Sequence, residues 1–171
     1  MDITTLIQSN DQIEQILFTR VKANANTIVA AHQLKGGWEG WAQVSLALEI
    51  KNKWPNTTVL REQAVYGEGG GLADIVLTSA ADPNFIQIIE LKVDLVNKAT
   101  TSLANRVDDD INKIRQGGAK VKYTRAYFVA VGICVTAASQ NHMNNIKPGP
   151  GEKYFKWPVG NEIDVFVWHK A

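Results

Sequence analysis

Cysteine, long apolar runs and a basic leader are scarce or missing in this 171-residue sequence. Its single cysteine, Cys134, has no partner for an intrachain disulfide, and this composition favours a reducing cytoplasm. No apolar run reaches the roughly 18–20 residues of a membrane span, so we expect no membrane partner. The first residues also lack the basic start and apolar block of a signal peptide. The composition therefore argues against the disulfide-rich secreted and membrane-spanning classes.

An excess of one charge sign is also missing, because the formal net charge is only +1. Along the chain, however, residues 61–110 carry nine acidic and four basic side chains, and residues 111–156 carry eight basic and one acidic. An acidic block beside a basic block could hold a metal next to a phosphate-binding surface. The two blocks could equally be solvated faces that neutralise each other.

Hydrophobic periodicity predicts a single α/β domain over residues 1–171. The predicted elements, in chain order, are helices at 9–34 and 38–51, strands at 57–65, 72–78 and 85–93, a helix at 102–116, and strands at 124–135 and 163–168. We expect residues 136–160 to be irregular, with a short helix at 137–146 and loop beyond it. The short connections between the first three strands indicate a meander.

Two of the apolar strands carry charged side chains. Asp74 lies within Ala73-Asp74-Ile75-Val76-Leu77, and Glu90 and Lys92 lie within Ile88-Ile89-Glu90-Leu91-Lys92. Alternate residues of a strand share a face, so Glu90 and Lys92 point the same way and Leu91 points into the core. Burying unpaired charges costs on the order of several kcal/mol, so we interpret this arrangement as a functional site.

Two carboxylates and an ammonium at one end of a sheet suit metal-dependent hydrolysis of phosphodiester bonds. Mg²⁺ or Mn²⁺ prefers carboxylates, backbone carbonyls and water, so Asp74, Glu90 and the carbonyl of Leu91 are candidate ligands. Lys92 could orient the attacking water or stabilise charge on the phosphate. Glu39, on the second predicted helix, could approach the same centre directly or through water.

Each of these residues also has a purely structural interpretation. Asp74 could be a strand-end residue held by backbone amides. Glu90 and Lys92 could form a solvent-facing ion pair on an edge strand. Glu39, in the first turn of a helix, is favourable through the helix dipole alone.

Other acidic residues are weaker candidates. Glu62 and Glu68 are further candidate ligands. Glu68 lies near Asp74 in a glycine-rich turn, where we expect it to be exposed. Consecutive side chains on a helix diverge by about 100°, so the aspartates at 108–110 cannot converge on one ion. We expect them to form a solvated helix face.

The basic block predicts a surface for the nucleic-acid backbone. Its candidate residues are Lys113, Arg115, Lys120, Lys122, Lys153 and Lys156. Simple solvation of Lys113 and Arg115 is equally compatible with the sequence. The aromatic residues at 154, 155 and 157, which alternate with lysines in a predicted loop, could stack on bases or cover the last strand.

Three short segments together resemble the PD-(D/E)XK nuclease superfamily. They are Gly37-Trp38-Glu39-Gly40-Trp41, Ala73-Asp74-Ile75 and Glu90-Leu91-Lys92. The superfamily includes restriction endonucleases, Holliday-junction resolvases and bacterial toxin nucleases. The resemblance implies a restriction endonuclease-like core over residues 38–135, in the order α-β-β-β-α-β, with an extra N-terminal helix and a C-terminal strand. One departure is Ala73, which stands where a proline often precedes the aspartate.

The resemblance also implies an activity. It implies a Mg²⁺-dependent (or Mn²⁺-dependent) endonuclease, and we expect DNA rather than RNA as the substrate. The implied metal ligands are Asp74, Glu90, Leu91 and Glu39, and the implied catalytic residues are Asp74, Glu90, Lys92 and Glu39. Some superfamily members no longer cleave, so an inactive nucleic-acid-binding or protein-binding role, of an immunity or structural kind, is the alternative. The candidate protein partners are a second copy of the chain, in a homodimer, and an inhibitor protein if the chain is a toxin.

Overall fold

The computed structural model describes residues 10–34, 37–67, 71–96, 101–120 and 122–170, without the side chains of residues 10, 11, 101 and 102. The helices within these ranges are α1 (Asn10–Ala23), α2 (Ala25–His32), α3 (Glu39–Lys53), α4 (Thr101–Gly117) and α5 (Ala137–Met143). The strands are β1 (Thr57–Gln63), β2 (Ala73–Ser79), β3 (Asp82–Val93), β4 (Arg125–Cys134), β5 (Glu152–Val159) and β6 (Ile163–Lys170). None of the described helices is both long and apolar enough to cross a membrane.

The strands form one mixed sheet in the order β1-β2-β3-β4-β6-β5. Strands β1 to β3 pair antiparallel as a meander, β3 pairs parallel with β4, and β6 pairs antiparallel with both β4 and β5. A parallel pair needs a long crossover, and the chain between β3 and β4 contains α4. The protein is therefore an α/β protein with a mixed sheet flanked by helices.

Each face of the sheet has its own apolar core, and strand alternation decides which side chains enter which core. On β3, Ile89 and Leu91 pack in the core that includes residues of α1, α2 and α3. Ile86 and Ile88 pack in the opposite core, which includes residues of α4. Glu90 has the same parity as Ile88, so its side chain lies on the α4 face.

The predicted element order over residues 38–135 is confirmed, but both ends of the chain differ from the prediction. The first helix is interrupted at Asn24, whose side-chain amide donates to the Arg20 carbonyl (2.8 Å) and so competes with continuation of the helix. The loop predicted after residue 146 was wrong for residues 152–159, because these residues form β5. Pro158 is tolerated there because β5 is an edge strand, where one backbone N–H can be lost.

A buried carboxylate on β5 links the strand to α4. Glu152 accepts from Arg115 Nε (2.9 Å) and Nη2 (2.7 Å), from the Gly149 backbone N–H (2.6 Å) and from Trp168 Nε1 (3.0 Å). Its side chain is 4% exposed. Arg115 lowers the pKa of Glu152 to about 2, because its guanidinium donates directly to the ionised carboxylate.

Replacing Glu152 with Gln should lower the free energy of unfolding at pH 7 by about 2 kcal/mol, since Arg115 loses its charged partner. The folded-state pKa of Glu152 lies below its usual 4.5, so its stabilisation is complete above that value and is lost as the pH falls towards 2. Urea unfolding of wild type and Glu152→Gln across this range should show the two curves converging at low pH. A difference independent of pH would contradict the assignment to the ionised carboxylate.

Candidate metal centre

Three carboxylates converge between the sheet and α4. Asp74 on β2, Glu90 on β3 and Asp110 on α4 each place one oxygen within 4.8 Å of the others. The Glu90 side chain is 1% exposed, whereas those of Asp110 and Asp74 are 11% and 18% exposed. The cluster is therefore closed at Glu90 and accessible to solvent from the Asp74 side.

The two strands hold Asp74 and Glu90 together through their own backbones. The register pairs Ile75 with Ile89, so Asp74 and Glu90 come next along the antiparallel pair. The Asp74 N–H donates to Glu90 Oε2 (3.3 Å), and the Leu91 N–H donates to Asp74 Oδ2 (2.8 Å). These contacts fix both carboxylates and place the Leu91 backbone beside the cluster.

Two lysines contact the three carboxylates. Lys92 Nζ donates to Asp74 Oδ2 (2.9 Å) and lies 3.1 Å from Asp110 Oδ2. Lys113 Nζ lies 2.6 Å from Glu90 Oε1 and 3.3 Å from Asp110 Oδ1. With all groups ionised, two ammonium groups therefore face three carboxylates, and the cluster keeps a net negative charge.

A buried tyrosine completes the surroundings of Glu90. The Tyr66 hydroxyl donates to Glu90 Oε1 (2.5 Å), and Tyr66 itself is 1% exposed. Its backbone pairs with Ala119, while the neighbouring Lys120 N–H donates to the Val65 carbonyl (2.8 Å). Gly118, at a φ of 52°, makes the turn after α4 that allows this pairing. The end of α4 thus positions Tyr66 over the cluster.

Burial and neighbouring charges shift the protonation of this site. Burial, and then the Asp110 charge, raise the pKa of Glu90 to about 7, against hydrogen bonds from Lys113 and Tyr66 that lower it. Burial acts to lower the pKa of Lys92, but Asp110 and Asp74 hold it above its usual range. Burial and Glu90 raise the pKa of Tyr66, so its hydroxyl stays a donor. Near neutral pH, Lys92 is charged and Glu90 can gain or lose a proton.

Glu39 lies near this site but outside the three-carboxylate cluster. Its Oε2 accepts from Arg106 Nη1 (2.7 Å) and from the Val93 N–H (3.2 Å). Arg106 Nη2 also donates to the Val93 carbonyl (2.5 Å). The Glu39 charge contributes to the raised pKa of Lys92. Glu39 therefore fixes the end of β3 beside Lys92, and the structure does not bring it into contact with the candidate ligands.

The six lysines and arginines predicted to bind nucleic acid lie in different places. Lys113 is inside the cluster, and Arg115 is held by Glu152. Lys120 and Lys122 are exposed between α4 and β4. The other two, Lys153 and Lys156, are exposed on β5, and Lys156 pairs with Asp164 (2.7 Å). Since β4 and β6 separate β3 from β5, these last two lysines belong to the far edge of the sheet.

The expectation that residues 108–110 form a solvated face was wrong for Asp110, which is 8% exposed. The three side chains do diverge as expected. Asp109 is exposed, whereas Asp110 points to the sheet. The phase of α4 could have revealed it, since Asp110 lies three residues after the buried Val107 and four before the buried Ile114.

Among the other acidic candidates, Glu62 is exposed, is paired with Arg61 (3.7 Å) and lies outside the cluster. Glu68 lies outside the described residues. The remaining contact to Glu90, from Tyr66, was missed by the sequence reasoning. The pairing of Tyr66 with Ala119 joins residues far apart in sequence, so no local pattern signalled it.

The residues present fit a hard divalent cation. All three convergent side chains offer oxygen, the donor that Mg²⁺ and Mn²⁺ prefer. Asp110 Oδ2 is buried and accepts no hydrogen bond from the described residues, because its 3.1 Å contact with Lys92 lacks hydrogen-bond geometry. That oxygen is ion-paired with Lys92 but accepts no hydrogen bond from the described part of the chain, so it keeps lone-pair capacity for a further cation.

Tyr66→Phe should lower the free energy of unfolding by about 1–3 kcal/mol, because the buried Glu90 carboxylate loses a donor. Tyr123→Phe is a matched control, since that ring packs against the same core and the Lys122 ammonium, and no described residue bonds to its hydroxyl. Chemical denaturation in the presence of a chelator measures both changes. Equal stability of wild type and Tyr66→Phe would contradict a structural role for this hydrogen bond.

The chain matches no family model, no curated protein and no solved structure. Its functional assignment therefore depends on the carboxylates, the lysines and the fold that positions them.

Proposed function

We propose that the protein is a metal-dependent endonuclease of the PD-(D/E)XK kind, which hydrolyses phosphodiester bonds of DNA. The observation that carries the proposal is the convergence of Asp74, Glu90 and Asp110 within 4.8 Å, with Lys92 bonded to Asp74. The motif Asp74…Glu90-Leu91-Lys92 and the order α3, β1, β2, β3, α4, β4 agree with the resemblance drawn from the sequence. The assignment to a restriction endonuclease-like topology is part of this proposal.

The three carboxylates would hold Mg²⁺ or Mn²⁺, with the Leu91 carbonyl as a further donor. When bound, the metal would neutralise the phosphate and lower the pKa of an attacking water. A proton on Glu90 competes with a cation for the same carboxylate, so we expect binding to weaken below neutral pH. Asp110 replaces Glu39 in the ligand set that the sequence implied.

Lys92 has the position and charge to act on the substrate. Asp74 and Asp110 keep its ammonium protonated at the open side of the cluster. There it can orient a water or stabilise negative charge that develops on the phosphate. Glu39 and Arg106 hold the adjacent Val93 backbone at both its N–H and its carbonyl. In this proposal they position Lys92 and do not contact the reacting atoms.

The nucleic-acid backbone would pass along the connection between α4 and β4. Lys120 is exposed there, and its backbone N–H donates to the carbonyl of Val65. The next residue, Tyr66, contacts Glu90. Lys122, also exposed, lies two residues further on. Both ammonium groups can therefore meet phosphates that flank the scissile one.

The central test is cleavage of plasmid, linear duplex, single-stranded DNA, a branched junction and tRNA with Mg²⁺, Mn²⁺ or EDTA. We expect metal-dependent DNA cleavage that falls at least about 100-fold in Lys92→Met, because charge on the phosphate loses its stabilisation. Asp74→Asn and Asp110→Asn should also lose activity, whereas Asp109→Asn, the exposed neighbour on the same helix, should keep it. Full activity in Asp74→Asn and Lys92→Met would overturn the proposal.

Lys120→Ala and Lys122→Ala should raise KM while leaving kcat nearly unchanged, because they remove contacts with the nucleic-acid backbone only. In a plot of the logarithm of the DNA association constant against the logarithm of the salt concentration, the slope should become shallower by about one for each lost phosphate contact. Lys22→Ala, an exposed lysine of α1, is the control of equal charge. An unchanged slope in the variant that carries both Lys120→Ala and Lys122→Ala would exclude binding of the nucleic-acid backbone along the connection between α4 and β4.

A non-catalytic binding protein with the same fold is the second candidate. The observation in its favour is that Lys92 and Lys113 already contact all three carboxylates. A functional metal site should gain thermal stability from Mn²⁺ as RT ln(1 + [L]/Kd), and a site fully satisfied by lysines should not. No cleavage and no Mn²⁺ stabilisation together would favour this candidate.

A further inference from the structure

Lys113 occupies a position in which several electron-rich groups meet. Its Nζ lies 2.6 Å from Glu90 Oε1 and 3.3 Å from Asp110 Oδ1. The same atom is 4.6 Å from the centre of the Tyr66 ring and 3.4 Å from the Leu72 carbonyl oxygen. Two carboxylates, a ring face and a carbonyl around one point make a cation site that the chain fills with its own ammonium.

The two lysines of the cluster contact different oxygens, which together are four of the six in the three carboxylates. Lys92 contacts Asp74 Oδ2 and Asp110 Oδ2, on the open side. Lys113 contacts Glu90, the most buried of the three carboxylates, and the other oxygen of Asp110. An ion that binds both Glu90 and Asp110 lies no more than the width of a carboxylate from the oxygens that Lys113 contacts, so it comes close to the Lys113 ammonium. Like charges a few ångströms apart repel strongly in a partly buried site.

We propose that Lys113 is an internal counter-ion that competes with the divalent metal and withdraws when the metal binds. This inference rests on the metal site of the proposed nuclease and adds to it a residue that limits metal affinity. The side chain can withdraw because it is 23% exposed and has a long flexible stem, so its ammonium can move to water.

A counter-ion of this kind has opposite effects on the two states of the site. In the metal-free protein it offsets the cost of burying the Glu90 charge, so its removal lowers stability. In the metal-bound protein it adds an unfavourable like charge, so its removal tightens binding. A lysine with only a structural role would weaken both states when replaced.

The test is calorimetric titration of Mn²⁺ into wild type and Lys113→Met without nucleic acid, with thermal unfolding in EDTA. The titration is run above pH 7, because loss of the Lys113 hydrogen bond raises the pKa of Glu90 and a proton there would compete with Mn²⁺. We expect Lys113→Met to bind Mn²⁺ at least about tenfold more tightly, because one positive charge leaves the site. In EDTA its Tm should be lower than that of wild type. Lys22→Met, which makes the same change in net charge on α1, should keep the wild-type Kd.

Lys113→Gln, which retains a polar side chain of similar length, covers the case in which Met prevents folding. Tighter Mn²⁺ binding by either variant, with lower stability in EDTA, supports the proposal. If wild type binds Mn²⁺ and both variants bind it equally or more weakly, the counter-ion role is overturned and the metal site is retained. No Mn²⁺ binding by wild type or by either variant overturns this inference and the metal site together.

Discussion

Removal of the Glu90 carboxylate from water is the constraint on which the rest of the site depends. An unpaired carboxylate at this depth would cost on the order of several kcal/mol. The fold offsets that cost with the Tyr66 hydroxyl, the Lys113 ammonium and the Asp74 N–H. These groups come from the chain after β1, from α4 and from β2. The elements around β3 therefore pack against it for electrostatic as well as apolar reasons.

Much of the fold could be predicted because its central elements have strong local patterns. The apolar runs of β2 and β3 and the apolar stripe of α4 identify these elements without tertiary information. Strand β5 could not be predicted in the same way, because its lysines, aromatic residues and Pro158 are typical of a loop. It becomes a strand through pairing with β6, and Phe18 then packs against Trp157 (5.4 Å between ring centres).

The candidate site was only half visible in the sequence. Asp74, Glu90 and Lys92 could be identified because charges are rare inside apolar strands. Asp110 was hidden in a run of three aspartates, where only the phase of the helix separates it from the half-buried Asp108 and the exposed Asp109. Tyr66 depends on a contact across more than fifty residues, which no local spacing encodes. The strand half of the site is thus a property of the motif, and the helix half is a property of the tertiary fold.

The division of the site between strands and helix affects the order in which it is assembled. A nascent chain that has emerged from the ribosome only as far as β3 contains Asp74, Glu90 and Lys92, but neither Asp110 nor Lys113. Its carboxylates cannot form the three-membered cluster until α4 has been synthesised and has docked on the sheet. Incomplete or misfolded chains therefore lack the intact centre. The folding reaction itself thus determines when the three-carboxylate cluster first exists.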